Sequence, residues 1–378
     1  MALPSETRAV IIASIGKAEI KSVPLPTLRD DYILVRTTAV ALNPTDWKHV
    51  YGINLGPNQP TVIDTRVGCD YAGIVEHVGP KVTKAFKKGD LICGPAHGSN
   101  AVQPEDGTFA EYIVVKGDVQ IKVPGNLKDY EAATLGIGIT TAGQGLYQAL
   151  SLPLPSPASP VPDPDPDPRR KILIYGGSTA TGLLGIQFAA LSGYTIATTC
   201  SPHNFSRVRS LVGNGSVSAY DYRSPTLSSD LKAWAGDDLT VAWDCIASTD
   251  SAKLCASVLA KEGGKYRSLL RVPDEVVKGV NGKVDSGFTF AYTALGEAFR
   301  KAVDIPAVEG DFEFAKQFWE LARELLAQGK VKTVEAEVNR GGKGGLEGVL
   351  VGLRELKEGR VSGRKLVYTL RGDGSADF

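Results

Sequence analysis

The segment at residues 175–185, YGGSTATGLLG, sets two adjacent glycines and three hydroxyl side chains between an apolar run, KILI, and a helical pattern, LLGIQFAALSG. Strand, glycine turn and helix in that order bring backbone amides and the positive end of a helix dipole to an anionic group. Gly176 and Gly177 let the chain approach a pyrophosphate, and Ser178, Thr179 and Thr181 can donate hydrogen bonds to its oxygens or to a more distant phosphate. The alternative is an ordinary helix N-cap, for which Ser and Thr are also suited. The next strand ends TTCSPHNFSRVRS, with no acid where a site for an unphosphorylated ribose carries one. Ser201, His203 and Asn204 can hold a phosphate there, and Arg207 and Arg209 add positive charge. An anion is therefore expected, which favours NADPH over NADH; a solvated helix face is the competing account of the arginines.

A third group, Asn43-Pro44-Thr45-Asp46-Trp47-Lys48, brings an amide, a hydroxyl, a carboxylate, an indole and an ammonium together after a strand. It reads either as a second domain's loop meeting a cofactor or as a turn with a helix cap. His49, His77, His97 and His203 have no metal-ligand spacing. The five cysteines (Cys69, Cys93, Cys200, Cys245, Cys255) form no C-x-x-C pair. Neither a zinc site nor a disulfide framework is expected, and reduced thiols fit a cytoplasmic protein.

These groups need elements to position them. Up to about residue 125, short strands alternate with turns: YILVRTTAVAL, GIVEHVG, FKKGDLICG and GTFAEYIVV suggest a small barrel-like β domain. From DYEAATLGIGITTAGQGLYQAL the period becomes helical. A proline-rich insert at 151–170 follows, expected as an exposed surface loop. Its Asp163, Asp165 and Asp167 mimic a calcium loop, but Pro164 and Pro166 stiffen it and proline stands where that loop needs glycine. Strand and helix then alternate from KILIYG to KYRSLL, as in a doubly wound parallel sheet. FEFAKQFWELARELLAQG puts Phe314, Phe318, Leu321 and Leu325 on one core-facing stripe. A helix and a terminal strand close the chain before a frayed tail, RGDGSADF.

The 378 residues are enough for two sizeable cores, and 42 basic against 42 acidic side chains suggest neither nucleic acid nor an anionic membrane as partner. No apolar run is long enough to span a bilayer, and the N-terminal MALPSETRAVIIASIG lacks the pattern of a signal peptide.

Taken in order, VRTTAVALNPTDWK, GCDYAGIVEHVG, KKGDLICG, GTFAEYIVV, EAATLGIGITTAG, ILIYGGSTATG and VSGRKLVYTL resemble the medium-chain dehydrogenase/reductase superfamily over nearly the whole chain. Cys69-Asp70 stands where the zinc branch has a histidine-glutamate pair, and the four-cysteine lobe is missing, so the resemblance is to the zinc-free branch. Within it, YGGSTATG, CSPHNF and YDYR are similar to fungal trans-acting enoyl reductases, stand-alone partners of highly reducing polyketide synthases, including hybrids with a peptide synthetase.

The resemblance implies an α/β medium-chain reductase fold. A GroES-like β-barrel domain (1–130 and 306–378) would carry catalysis and substrate, and a Rossmann domain (131–305) would bind NADPH. It implies that Thr45, Asp46, Trp47 and Lys48 meet the nicotinamide side, that Ser178, Thr179, Ala180 and Thr181 hold phosphates, and that Ser201, Pro202, His203 and Asn204 surround the 2′-phosphate. Tyr222 would lie by the adenine, Leu269 and Leu270 by the nicotinamide, and Val361 with Ser362 would close the site. Substrate would meet a loop of Thr141, Ala142, Gly143, Gln144, Gly145, Leu146, Tyr147 and Gln148, and the stretch Tyr292, Thr293, Ala294, Leu295 and Gly296.

The expected activity is hydride transfer from NADPH to the β-carbon of an α,β-unsaturated acyl thioester on a polyketide synthase carrier domain. Lys48 is the candidate for electrostatic help to the thioester oxygen or for holding the cofactor ribose. The alternatives are a stand-alone quinone or alkenal reductase and a non-catalytic NADPH-binding scaffold.

Overall fold

The computed structural model describes residues 3–53, 62–158, 170–212, 215–300 and 304–370. The core of the proline-rich insert, with its three aspartates, and the RGDGSADF tail lie outside the described residues. The chain divides into two compact units. One takes in the residues up to Thr140, Tyr292–Arg323 and those from Thr333 onward; the other takes in Thr141–Ala291 and Glu324–Lys332.

The first unit is built on a seven-stranded sheet. Its long strand Tyr32–Ala41 pairs antiparallel with Tyr112–Lys116, Asp70–Val78 and the terminal strand Lys365–Thr369. Nearly every side chain of Tyr32–Ala41 is buried, Arg36 excepted, which is why it reads as a continuous β-branched and apolar run. Ile33, Val35, Val40, Tyr71, Val75, Ile92, Phe109 and Ile113 form the core. Asp70 is fully buried and paired with Lys365; the Ile137 N–H also donates to its Oδ1 at 2.5 Å. This joins a central strand to the last strand and to the helix Gly136–Ala142. Removing one partner would leave a buried charge alone, at a cost of about 3–5 kcal/mol.

The second unit is a six-stranded parallel sheet in the spatial order Val217–Asp221, Thr195–Cys200, Lys171–Tyr175, Val241–Asp244, Gly264–Ser268, Val284–Phe288. Ile172, Leu173 and Ile174 are fully buried, as a central parallel strand requires. The last strand extends the series beyond the expected KYRSLL. Its sequence, VDSGF, buries only Val284 at the sheet edge, so it carries too little apolar pattern to be found from sequence.

Two other expectations are corrected. The helix Glu309–Ala327 buries Ala315, Phe318, Trp319, Ala322, Leu325 and Leu326, while Phe314 and Leu321 are only half-buried. The buried stripe is rotated toward Trp319, whose Nε1 donates to Thr140 Oγ1 at 3.1 Å. The region Thr141–Gln148 is helical, as the period of DYEAATLGIGITTAGQGLYQAL predicts, and not the loop that the resemblance implies. The helix Gly136–Ala142 continues into a wider π-helical turn, Gly143–Ala149, interrupted from the preceding short helix Asp129–Ala132. Among the described residues no helix is long and apolar enough to cross a membrane.

Candidate active site

In the parallel sheet, Tyr175 lies in register with Thr199 on one side and Asp244 on the other; Asp244 is level with Ser268, and Cys200 with Asp221. The turn after Tyr175, the segment Ser201–Asn204, Tyr222 and the pair Leu269–Leu270 therefore leave the same carboxyl edge of the sheet. The strand order reverses between Lys171–Tyr175 and Val241–Asp244, and such a switch point opens the crevice that holds ligands in sheets of this kind.

Gly176 has φ +87°, and a Cβ there would stand 2.8 Å from Ile246 Cγ1. A Cβ on Gly177 would collide with Thr198 Oγ1. Both glycines are thus required by backbone shape and close approach. Thr179 is the N-cap of the helix Ala180–Leu191: its hydroxyl donates to Gly176 O at 2.8 Å and accepts from the Gly182 N–H at 3.0 Å. The capping alternative is correct for this residue. Ser178 and Thr181 are half-buried, and among the described residues their hydroxyls make no hydrogen bond. The turn can therefore accept an anionic group, and the Ser178 and Thr181 hydroxyls are available to donate to one.

Pro202–Asn204 forms a short 3-10 turn, with Pro202 exposed, Ser201 half-buried and Asn204 buried. Asn204 Nδ2 lies 3.2 Å from Nε2 of exposed His203. Arg207 is half-buried on the following helix, while exposed Arg209 stands over the Phe205 ring at 5.3 Å, a surface packing role. Tyr222 is exposed, with the Arg223 guanidinium 5.4 Å from its ring centroid. Leu269 and Leu270 are half-buried beyond Ser268.

In the other unit, Asn43–Lys48 resolves into the helix Pro44–Val50. The Asn43 N–H donates to Asp46 Oδ2 at 2.6 Å, and Asn43 caps the helix in return. Asp46 is fully buried, and its Oδ1 has no partner among the described residues. Burial pushes its carboxyl up to about 8, against the bond from Asn43, with the charge of Asp70 adding to the rise. Thr45 Oγ1 lies 3.1 Å from the Tyr292 hydroxyl, which is 3.7 Å from Cys69 Sγ; His97 stacks on the Tyr292 ring at 4.1 Å. Burial raises both the Tyr292 hydroxyl and the Cys69 thiol well above their ordinary values, so both stay protonated.

Cys69 and His97 were not singled out from sequence as members of this cluster; they come from distant segments, and no spacing links them to Thr45. Lys48 is half-buried, and burial lowers its ammonium. Trp47 packs edge-on against Tyr51. Val361 packs on the barrel core and Ser362 is exposed, both between the helix Gly345–Lys357 and the last strand.

The expected substrate residues behave unevenly. Gly143, Gln144, Gly145, Leu146 and Tyr147 are buried in the π-helical turn, and the Tyr147 hydroxyl is bound to Phe188 O and Ser192 Oγ, each at 3.1 Å. Leu146 and Tyr147 are packing residues. Thr141 and Ala142 end the helix before that turn, and Gln148 is a half-buried residue within it. Thr293 is buried and donates to Asp311; Ala294 and Leu295 are buried, and Gly296 turns the chain at φ +68°. Tyr292 is the member of its stretch with a hydroxyl directed at Thr45. Among the described residues no group of three His, Cys, Asp or Glu side chains could hold a metal ion.

Comparison with known proteins agrees with this architecture. Residues 29–125 match the alcohol dehydrogenase GroES-like domain. The chain is 43% identical over 376 residues to the trans-enoyl reductase resD of Aspergillus sclerotiorum, covering 96% of this chain and 99% of that one. It is 50% identical over 275 residues to the trans-enoyl reductase TOXD of Cochliobolus carbonum, covering 73% and 85% respectively. The solved CurK enoyl reductase shares the fold, with a TM-score of 0.73 at 17% identity over 97% of this chain and all of that one. The fold is that of the medium-chain dehydrogenases and reductases, whose oxidoreductase chemistry uses a nicotinamide cofactor. Within that superfamily, the chain belongs to the trans-enoyl reductase family.

Proposed function

We propose that this protein is an NADPH-dependent trans-acting enoyl reductase, reducing the α,β-unsaturated acyl thioester carried by a polyketide synthase in secondary-metabolite biosynthesis. The observation that supports the reading most is end-to-end similarity to a trans-enoyl reductase, joined to a glycine turn in which neither Gly176 nor Gly177 has room for a Cβ. When bound, NADPH supplies the hydride that goes to the substrate β-carbon.

The chain's own residues bind and orient. Ser178, Thr181 and the amides at the helix start hold the diphosphate. Ser201, His203, Asn204 and Arg207 hold a 2′-phosphate, Tyr222 covers the adenine, and Leu269 with Leu270 form an apolar wall beside the nicotinamide. The barrel unit carries the substrate side, with Thr45, Lys48 and Tyr292 as its polar groups. Lys48 meets the negative charge that develops on the thioester oxygen. The acyl chain arrives on the carrier domain of a separate synthase, which includes the hybrids with a peptide synthetase. The setting is cytoplasmic, consistent with five free cysteines.

The test is cofactor oxidation against enoyl-pantetheine thioesters, quinones and alkenals. Thioesters are expected to be turned over fastest with NADPH; quinone turnover far above them would replace this reading with a small-molecule reductase.

A further inference from the structure

Asp244 ends the strand that flanks the switch point, is fully buried, and has no role in the reading above. Its carboxylate is met by hydrogen-bond donors on both oxygens. The backbone N–H groups of Ile246 and Ala247 donate to Oδ1, each at 2.9 Å. The hydroxyls of Ser251 and Tyr266 donate to Oδ2 at 2.6 and 2.9 Å. Two of these donors belong to the segment just after the strand; the other two belong to a helix and to the neighbouring strand. The carboxylate therefore fastens a short loop to the body of the sheet.

That loop needs fastening. Ala247 has φ +60°, a left-handed conformation that a residue with a Cβ adopts only when its surroundings hold it there. The Cys245 N–H donates to Tyr175 O at 2.9 Å, which sets the loop beside the glycine turn. Ile246 then lies against Gly176, at the 2.8 Å separation from a notional Cβ given above, and remains 45% exposed. An apolar side chain is thus held partly in the open beside the phosphate cradle, on a backbone that would relax elsewhere if released.

We propose that Asp244 is a positioning residue for the cofactor: by clamping the Ile246 and Ala247 amides, it holds the 245–248 segment as the second wall of the cradle whose first wall is the turn 176–179. Ile246 is the side chain that the clamp presents to the cofactor. The proposal rests on the reading that this crevice binds NADPH, and it assigns the affinity partly to a residue that never touches the ligand.

The test uses the full chain and two readouts that do not involve turnover. NADPH affinity is measured by calorimetry for wild type, Asp244→Asn and Tyr266→Phe, and amide hydrogen exchange is followed without cofactor. Asp244→Asn is expected to weaken NADPH about tenfold and to speed exchange at Ile246 and Ala247, while Ala242 and Trp243 keep their protection. Tyr266→Phe removes one of the two donors to Oδ2 and is expected to act in the same direction but less, about threefold; it decides the matter if Asp244→Asn does not fold. Wild-type affinity in the folded variants would overturn the proposal, as would a loss of affinity that only follows general loss of protection in the strands. Failure of the wild-type chain to bind NADPH would instead overturn the cofactor reading beneath it.

Discussion

Replacing Asp46 by Asn should make the barrel unit less sensitive to rising pH. The carboxyl is fully buried beside Cys69 and Asp70, and burial lifts it from 3.8 in the unfolded chain to about 8. Between those values the native state holds a proton that the unfolded state has released, so stability is greatest below the unfolded value and falls as pH rises through the folded one. One proton fixes the limiting slope at about 1.4 kcal/mol per pH unit. From pH 5 to pH 7 the wild-type chain could therefore lose up to ~2.7 kcal/mol through this group alone; about 1–2 kcal/mol is expected because buried sites relax. The Asn amide has no such proton, and its oxygen can still accept from the Asn43 N–H. Hydrogen exchange of slow barrel amides at pH 5, 6 and 7 reads the unit by itself, which matters because a two-unit chain need not unfold in one step. The advantage of Asp46→Asn over wild type should grow steadily with pH. Parallel pH dependences for the two proteins would refute a buried, protonated Asp46.

Lys48→Ala should lower turnover or NADPH affinity while leaving the melting transition nearly unchanged, since a half-buried lysine with no ion pair among the described residues adds little to the fold. Turnover and affinity both at wild-type level would make Lys48 a bystander. NADPH should bind much more tightly than NADH, because each charge-assisted hydrogen bond to the extra phosphate contributes about 1.5–3 kcal/mol. Arg207→Ala should narrow that gap, and equal calorimetric affinities in the wild type would remove the argument. Exhaustive dialysis against a chelator should leave activity intact; one zinc per chain held through dialysis would contradict assignment to the zinc-free branch.

The fold was readable where apolar pattern and turn chemistry coincide. KILIY, TIATTC and VAWD are buried strands, and the glycine pair after KILIY marks the turn that the structure bends at φ +87°. VDSGF was missed because an edge strand with one buried residue has no pattern to detect. The helical period of DYEAATLGIGITTAGQGLYQAL is matched by the helix and π-helical turn over residues 136–149, whereas the loop implied by the resemblance is not; the wider turn itself depends on the tight approach of Gly145 to Trp243, which no local spacing encodes. At the site, sequence identified the hydroxyls of the turn but not their division of labour, in which Thr179 caps the helix and Ser178 and Thr181 do not. The gathering of Thr45, Cys69, His97 and Tyr292 depends on contacts between segments far apart in the chain, which no local spacing encodes.

On the proposed reading, the enzyme acts in trans on an acyl group tethered to another protein. Binding energy from the pantetheine arm and the carrier surface can then be used at the reacting carbon, so truncated substrates should lose turnover as well as affinity. The direct measurement is the rate per enzyme, with NADPH, on one enoyl group presented as a small free thioester, on pantetheine, and on the carrier domain of the partner synthase. The first rate should be slow and should rise at each step; a flat series would mean that the tether and the carrier contribute nothing to turnover.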